Sequence, residues 1–152
     1  MANLTQKERY LLQDQKGHEE LCIKKYTNYA DQAQDPQLKQ VFTNNAKQEQ
    51  QHLSTINQML SGQTPNTNQN MQQNQQQGQQ AMKSGINGQG DKELCEDMLL
   101  TEKYVSNAYN TAIFEFRDPN MRQALNHIQK EEQEHGEAIY NYMESKGMYN
   151  VQ

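Results

Sequence analysis

Apolar positions recur along this chain at alternating spacings of three and four residues, in four separate segments. Leu12, Gln15, Glu19, Cys22, Tyr26, Tyr29 and Ala33 share one stripe, and Leu38, Phe42, Asn45, Glu49, His52, Ile56 and Met59 form the second. Cys95, Met98, Glu102, Val105, Tyr109, Ala112 and Phe116 make the third, and Met121, Leu125, Ile128, Glu132, His135, Ile139 and Tyr142 the fourth. Such spacing keeps one face of an α-helix turned toward a partner, so the pattern predicts an all-α chain of four amphipathic helices. Asp35-Pro36 and Asp118-Pro119 fall between the members of each pair. Each Asp is placed to cap the following helix and each Pro suits its first turn. Connections this short make each pair an antiparallel hairpin.

The two hairpins repeat. An offset of 83 residues sets Leu11 on Leu94, Asp14 on Asp97, Glu19 on Glu102 and Tyr26 on Tyr109, without a gap. It also sets Asp35-Pro36 on Asp118-Pro119, Gln40 on Gln123, Lys47 on Lys130, Glu49-Gln50 on Glu132-Gln133, His52 on His135 and Ile56 on Ile139. Duplicated hairpins pack naturally as a pseudo-symmetric four-helix bundle.

Composition changes this picture in one place. Only 33% of the 152 residues are hydrophobic and mean hydropathy is −1.19, with the polarity concentrated between Ser61 and Gly90, where Gln, Asn, Gly, Ser and Thr dominate. That stretch buries too little apolar surface to offset its ordering entropy and reads as a flexible connection. Roughly 30 residues spanning up to ~3.3 Å each easily run the length of helices that rise ~1.5 Å per residue over about 25 residues. The expectation is one domain over residues 1–152: hairpin one at about 5–60, a long crossover at about 61–91, and hairpin two at about 92–146. A net charge of −5 and pI near 5.3, with no basic stripe, argue against nucleic acid as a partner. No run is apolar enough to span a membrane, and the first ten residues carry charges where a signal peptide needs an apolar stretch. Cys22 and Cys95 form neither a CxxC pair nor a disulfide framework. A cytoplasmic protein is expected.

The anomaly lies on the stripes themselves. Glu49 and His52, and their counterparts Glu132 and His135, interrupt apolar faces at mid-helix, and Glu19 and Glu102 hold the equivalent central position of the other two helices. In each half the lone Glu precedes the ExxH Glu by 30 residues, which sets the two level across an antiparallel pair. Four carboxylates and two imidazoles should therefore converge at the bundle midpoint. An unpaired buried carboxylate costs several kcal/mol, and four together would be driven to protonate. Two divalent cations would balance the four negative charges. Residues three apart share a helix face, so each ExxH Glu is placed to bridge the cations while its His binds one. Oxygen and imidazole donors without thiolates favour iron first and manganese next over structural zinc. The bland alternative is a solvated acidic face, since Glu20, Glu131, Glu134 and Glu137 lie nearby. Two turns beyond Glu19 and Glu102, Tyr26 and Tyr109 read either as core packing or as hydroxyl donors to a ligating carboxylate. Cys22 reads as a small buried hydrophobe, and His18 and His127 as surface residues.

With Glu19, Glu49-Gln-Gln-His52, Glu102 and Glu132-Gln-Glu-His135, both hairpins resemble the ferritin-like superfamily, in particular its rubrerythrin and erythrin branch. The resemblance implies a di-iron or di-manganese oxidoreductase acting on oxygen or peroxide, with Tyr26 and Tyr109 hydrogen-bonded to metal-bridging carboxylates. Val105 stands where rubrerythrins carry a further Glu, and there is no CxxC rubredoxin module, so turnover would need an external electron donor. The chain is also similar to the spore coat F family, through Lys92-Glu-Leu-Cys-Glu-Asp-Met-Leu, Asp118-Pro-Asn-Met-Arg-Gln and Tyr142-Met-Glu-Ser-Lys-Gly-Met-Tyr149. That second resemblance implies incorporation into the spore coat, with coat proteins or a second copy of the chain as partners, and a member that keeps all six residues suggests retained metal chemistry; the alternative is a structural coat protein whose metal site is only structural or vestigial.

Overall fold

The computed structural model describes residues 3–66 and 90–149. Among these the chain forms four helices and no strand: α1 (Gln6–Gln32), α2 (Pro36–Leu60), α3 (Asp91–Glu115) and α4 (Pro119–Ser145). Most of the connection expected at 61–91 lies outside the described residues.

Local chemistry sets the helix ends. Thr5 caps α1 through a reciprocal capping box with Glu8, which satisfies two backbone donors that the first turn would otherwise leave free. Asp35 and Asp118 accept from the amides of Gln37 and Asn120, and Pro36 and Pro119 follow them in the first turn. Both hairpins close as their sequence predicts. At the far ends Gly62 and Gly147 adopt positive φ (83° and 69°), with Gln63 N–H bonding Gln58 O and Met148 N–H bonding Met143 O. This left-handed closure suits glycine because a Cβ would be strained there.

The helices pack as a four-helix bundle in which α1 lies between α2 and α3, and α4 lies between the same two neighbours on the opposite side. Paired ends establish that all neighbours are antiparallel. Arg9 donates to Leu60 O at 3.2 Å, so α2 ends where α1 begins. Asp91 accepts from the amides of Gln34 and Asp35, so α3 begins beside the first turn. Tyr142 donates to Asp35 at 2.7 Å, bringing the end of α4 to the same place. The α2 and α3 ends that the connection joins therefore lie at opposite ends of the bundle, as a crossover requires.

The pseudo-twofold relation extends to the locks between the halves. Glu8 accepts from Arg117 N–H at 3.0 Å, while Asp91, its counterpart at the 83-residue offset, accepts from Gln34 N–H at 2.9 Å. Each hairpin thus ties down the other's turn. Every predicted stripe position is buried except Tyr29, which lies partly open with its hydroxyl on Asp97 at 2.6 Å. Leu12, Leu38, Phe42, Ile56, Leu125 and Ile139 are among the side chains fully removed from water.

Candidate metal centre

The layer halfway along the bundle is not apolar. Glu19 from α1, Glu49 and His52 from α2, Glu102 from α3, and Glu132 and His135 from α4 all point inward and are at most 2% exposed. All six predicted residues come together. The α-helix places Glu49 and His52, and likewise Glu132 and His135, on one face one turn apart.

Their contacts divide them into two kinds. Glu132 Oε1 lies 2.9 Å from His52 Nδ1, and Glu132 Oε2 lies 3.6 Å from His135 Nδ1. Glu49 mirrors this, 2.8 Å from His135 Nδ1 and 3.5 Å from His52 Nδ1. Each ExxH carboxylate therefore reaches both imidazoles. Glu19 stands only beside His52 Nδ1, at 3.7 Å, and Glu102 only beside His135 Nδ1, at 3.3 Å. Two overlapping groups result, Glu19–Glu49–His52–Glu132 and Glu49–Glu102–Glu132–His135, each offering ligand atoms within 4.8 Å of one another. The two rings stack at 5.7 Å between centroids.

Proximity here is not satisfaction. Glu19 Oε2, both oxygens of Glu49, Oε2 of Glu102, Oε2 of Glu132 and His135 Nδ1 are buried without a hydrogen-bond partner. The Glu49–His135 pair is close enough to bond but misaligned for it. Crowded donors facing each other without bonding are expected where lone pairs converge on a third atom, and buried polar groups are otherwise almost always paired.

Without a cation the cluster must hold protons. Burial, and then the adjoining carboxyl of Glu19, pushes Glu49 up to about 7. Burial and the neighbouring Glu132 push Glu102 up to about 8. Burial also raises Glu19. Burial opposes charge on the imidazoles, but the carboxylates around them outweigh it and raise both His52 and His135 well above the usual histidine range. For Glu132 burial is likewise outweighed, by the neighbouring Glu102 carboxyl and the two imidazoles, and its carboxyl is held low. The protonated form is one way to neutralise this layer; two divalent cations would be the other, and four carboxylates with two imidazoles are a donor set that suits such ions.

Neighbouring groups aim these side chains. Tyr26 OH donates to Glu102, and Tyr109 OH donates to Glu19, each crossing to the other hairpin. Both rings are fully buried, so each tyrosine is core packing and carboxylate donor at once. Burial, then the adjoining carboxylates, raise both hydroxyls well above the usual tyrosine range and keep them donors. Cys22 is fully buried, as expected of a small hydrophobe, and burial pushes its thiol up.

The sequence pattern did not single out Glu131 and Gln48. Glu131 was grouped with exposed acids, yet its Oε1 meets His52 Nε2 at 3.4 Å and His127 Nε2 at 2.7 Å. Gln48 Oε1 meets His135 Nε2 at 2.5 Å. Both stand immediately before an ExxH Glu, 83 residues apart, which is the signal that identifies them. An acceptor beside each Nε2 suits a proton there, so that in the neutral ring Nδ1 would be the lone-pair nitrogen facing the cluster. His127 is well exposed on its outer side, while His18 rests edge-on to Tyr104 with Nδ1 3.3 Å from Gln15.

Comparison with known proteins places this architecture. Residues 18–115 match the family described as a domain of unknown function, DUF2383. The chain belongs to that family. Its second hairpin, residues 90–152, matches the Coat F domain, and all three segments behind the coat F resemblance fall inside that range. The DUF2383 match begins just before Glu19 and ends at the last residue of α3, so Glu19, Glu49, His52 and Glu102 lie within it. Glu132 and His135 lie within the Coat F match. A curated relative, "Uncharacterized protein YusN" from Bacillus subtilis (strain 168), is 34% identical over 62 residues, which are 41% of this chain and 56% of that protein. The matched stretch thus covers little more than half of that relative. No solved structure matches the chain. Among the described residues no helix is long and apolar enough to cross a membrane.

Proposed function

We propose that this chain is a coat F-type protein of the spore that holds two divalent cations at the centre of a ferritin-like bundle. The observation that carries the cation site is the set of buried carboxylate oxygens and imidazole nitrogen left without partners around two overlapping four-residue groups. Coat association is supported by the Coat F match over the second hairpin. In this reading Glu49 and Glu132, which reach both imidazoles, would belong to both positions, Glu19 with His52 and Glu102 with His135 would complete one each, and residues of both hairpins would be held together there. Tyr26 and Tyr109 would fix the terminal carboxylates, and the buried, largely apolar layers on either side would limit water at the centre.

A second reading is an oxidoreductase acting on oxygen or peroxide. It is favoured by a donor set of oxygen and nitrogen without thiolate, which suits iron or manganese, and by two tyrosine hydroxyls held protonated against the carboxylates. Bound iron or manganese would supply one-electron redox chemistry. The chain itself would contribute ligand geometry, the hydroxyl donors and a water-poor surrounding, and an external electron donor would be needed for reductive turnover.

Elemental analysis of protein purified without added metal, followed by peroxide-consumption and ferrous-oxidation assays, separates the two. Two ions per chain with neither activity supports the stapling role, whereas turnover that disappears in Glu49→Ala/Glu132→Ala supports the enzyme. That double variant should lose both ions. Two ions retained in it would show that other residues bind them.

A further inference from the structure

The six central residues obey the pseudo-twofold relation, but the groups behind them do not. On the outer side of His52 stands a carboxylate, Glu131, 3.4 Å from Nε2. The same oxygen lies 2.7 Å from His127 Nε2, one turn back on the same helix, so Glu131 is flanked by an imidazole on its outer side as well. On the outer side of His135 stands the uncharged amide of Gln48. Position 44, the counterpart of His127, is Asn44, whose side chain accepts from Gln40 at 2.8 Å. A carboxylate with a second imidazole beside it thus backs His52, and a lone amide backs His135.

An imidazole whose N–H bonds a carboxylate is a better donor through its other nitrogen than one bonded to an amide, and the partner's negative charge also attracts a cation through the ring. That attraction acts on a doubly charged ion twice as strongly as on the single proton it displaces, so competition with protons does not cancel the advantage. We propose that the two cation positions are unequal: the position of Glu19, Glu49, His52 and Glu132 fills first, because Glu131, steadied by His127, backs His52 where only Gln48 backs His135. Glu131 and His127 are positioning residues in this scheme, and the scheme rests on the two-cation reading above. Replacing an outer partner of a ligating histidine typically costs about 10- to 100-fold in metal affinity, which sets the expected gap between the steps.

The test is a Co²⁺ titration of the full-length protein after chelator treatment, followed by visible absorption and calorimetry. Wild type should bind two ions in steps separated by about tenfold or more. His52→Ala should remove the tight step and His135→Ala the weak one. Glu131→Gln should weaken the tight step by about tenfold and merge the two, with stoichiometry still two. Gln48→Glu should strengthen the weak step, which keeps the proposal testable even if Glu131→Gln folds poorly. If wild type binds two ions in indistinguishable steps, or Glu131→Gln shifts both steps alike or neither, the inequality is wrong while the two-cation centre stands. A wild-type chain that binds no Co²⁺ overturns the centre and the inequality together.

Discussion

The middle of this bundle and the layers on either side of it are built on opposite principles. Toward the turn at Asp35 the interior is Phe42, Leu38, Tyr142 and Ile139; toward the other end it is Leu12, Ile56, Leu125 and Met121. Those side chains stabilise the fold chiefly by leaving water, at roughly 25 cal/mol per Å² of apolar surface, with Tyr142 adding its bond to Asp35. The central layer does the reverse: four carboxylates and two imidazoles leave water and face one another with unmet hydrogen-bonding capacity. A bundle of this size folds on its aliphatic layers, and the same central positions filled by leucine would give a more stable protein. On the two-cation reading the centre is tolerated for what it binds, and the contrast can be broken from either side.

The largest effect should come from the aliphatic side. Phe42 is fully buried and packs against the rings of Tyr26 at 5.7 Å and Tyr29 at 6.4 Å. Phe42→Ala should cost about 3–5 kcal/mol, measured by urea unfolding, and by the same amount with or without added cation. A cost that vanished on adding Mn²⁺ would mean the flanking layer and the centre are one energetic unit.

For a single group the next effect is somewhat smaller, and it separates the layers by pH. Glu49 and Glu102 have folded pKa values raised by burial from 4.5 to about 7 and about 8. A group raised on folding binds its proton more tightly when folded, so its contribution is fully present below about pH 4.5 and is lost as pH rises through 7 to 8. At about 1.4 kcal/mol per pKa unit, Glu49 alone accounts for roughly 3 kcal/mol. Glu132, held low, titrates below this window. The metal-free protein should therefore lose thermal stability between pH 5 and pH 8.5. Saturating Mn²⁺ replaces the protons, so the gap in Tm between metal-bound and metal-free protein should widen over the same range. A metal-free Tm that climbs across the window would contradict the buried cluster.

How legible was this in the sequence? The helices were, because a 3.6-residue period and an Asp-Pro at each turn leave little choice, and the 83-residue repeat set both hairpins in register. The six central residues were legible for the same reason: polar side chains on an apolar stripe at repeat-matched heights have nowhere else to go. Tyr29 misled only by its place at the end of a stripe, where α1 leaves the core and a hydroxyl finds Asp97. Glu131 and Glu8 were opaque because a glutamate's reach is not encoded in its position: Glu131 starts from the helix flank, beside exposed Glu134 and Glu137, and turns inward only because His52 and His127 meet it. Glu8 is buried by Arg117, 109 residues away. Such partners follow from the packing of one hairpin on the other, and the repeat offset hints at them only once that packing is known.

The smallest effect tests the seam between the two regions. Tyr26 and Tyr109 each put a ring in the aliphatic layer and a hydroxyl on a central carboxylate, and each crosses from its own hairpin to the other. Phenylalanine keeps the ring and removes only the hydroxyl. Because the lost bond is to a carboxylate, the cost should be about 1.5–3 kcal/mol if that oxygen is left bare, and toward the lower end when a cation already engages Glu102 or Glu19. The two variants should also act on different positions: Tyr26→Phe frees Glu102 and weakens the position of His135, while Tyr109→Phe frees Glu19 and weakens that of His52. Stepwise Co²⁺ titration reads this directly, as one step shifting while the other stays. If both variants weaken both steps equally, the hydroxyls act through general packing and the boundary drawn here between aliphatic layer and centre is misplaced. If the steps shift one at a time, the two tyrosines are where the fold hands its rigidity to the ligands.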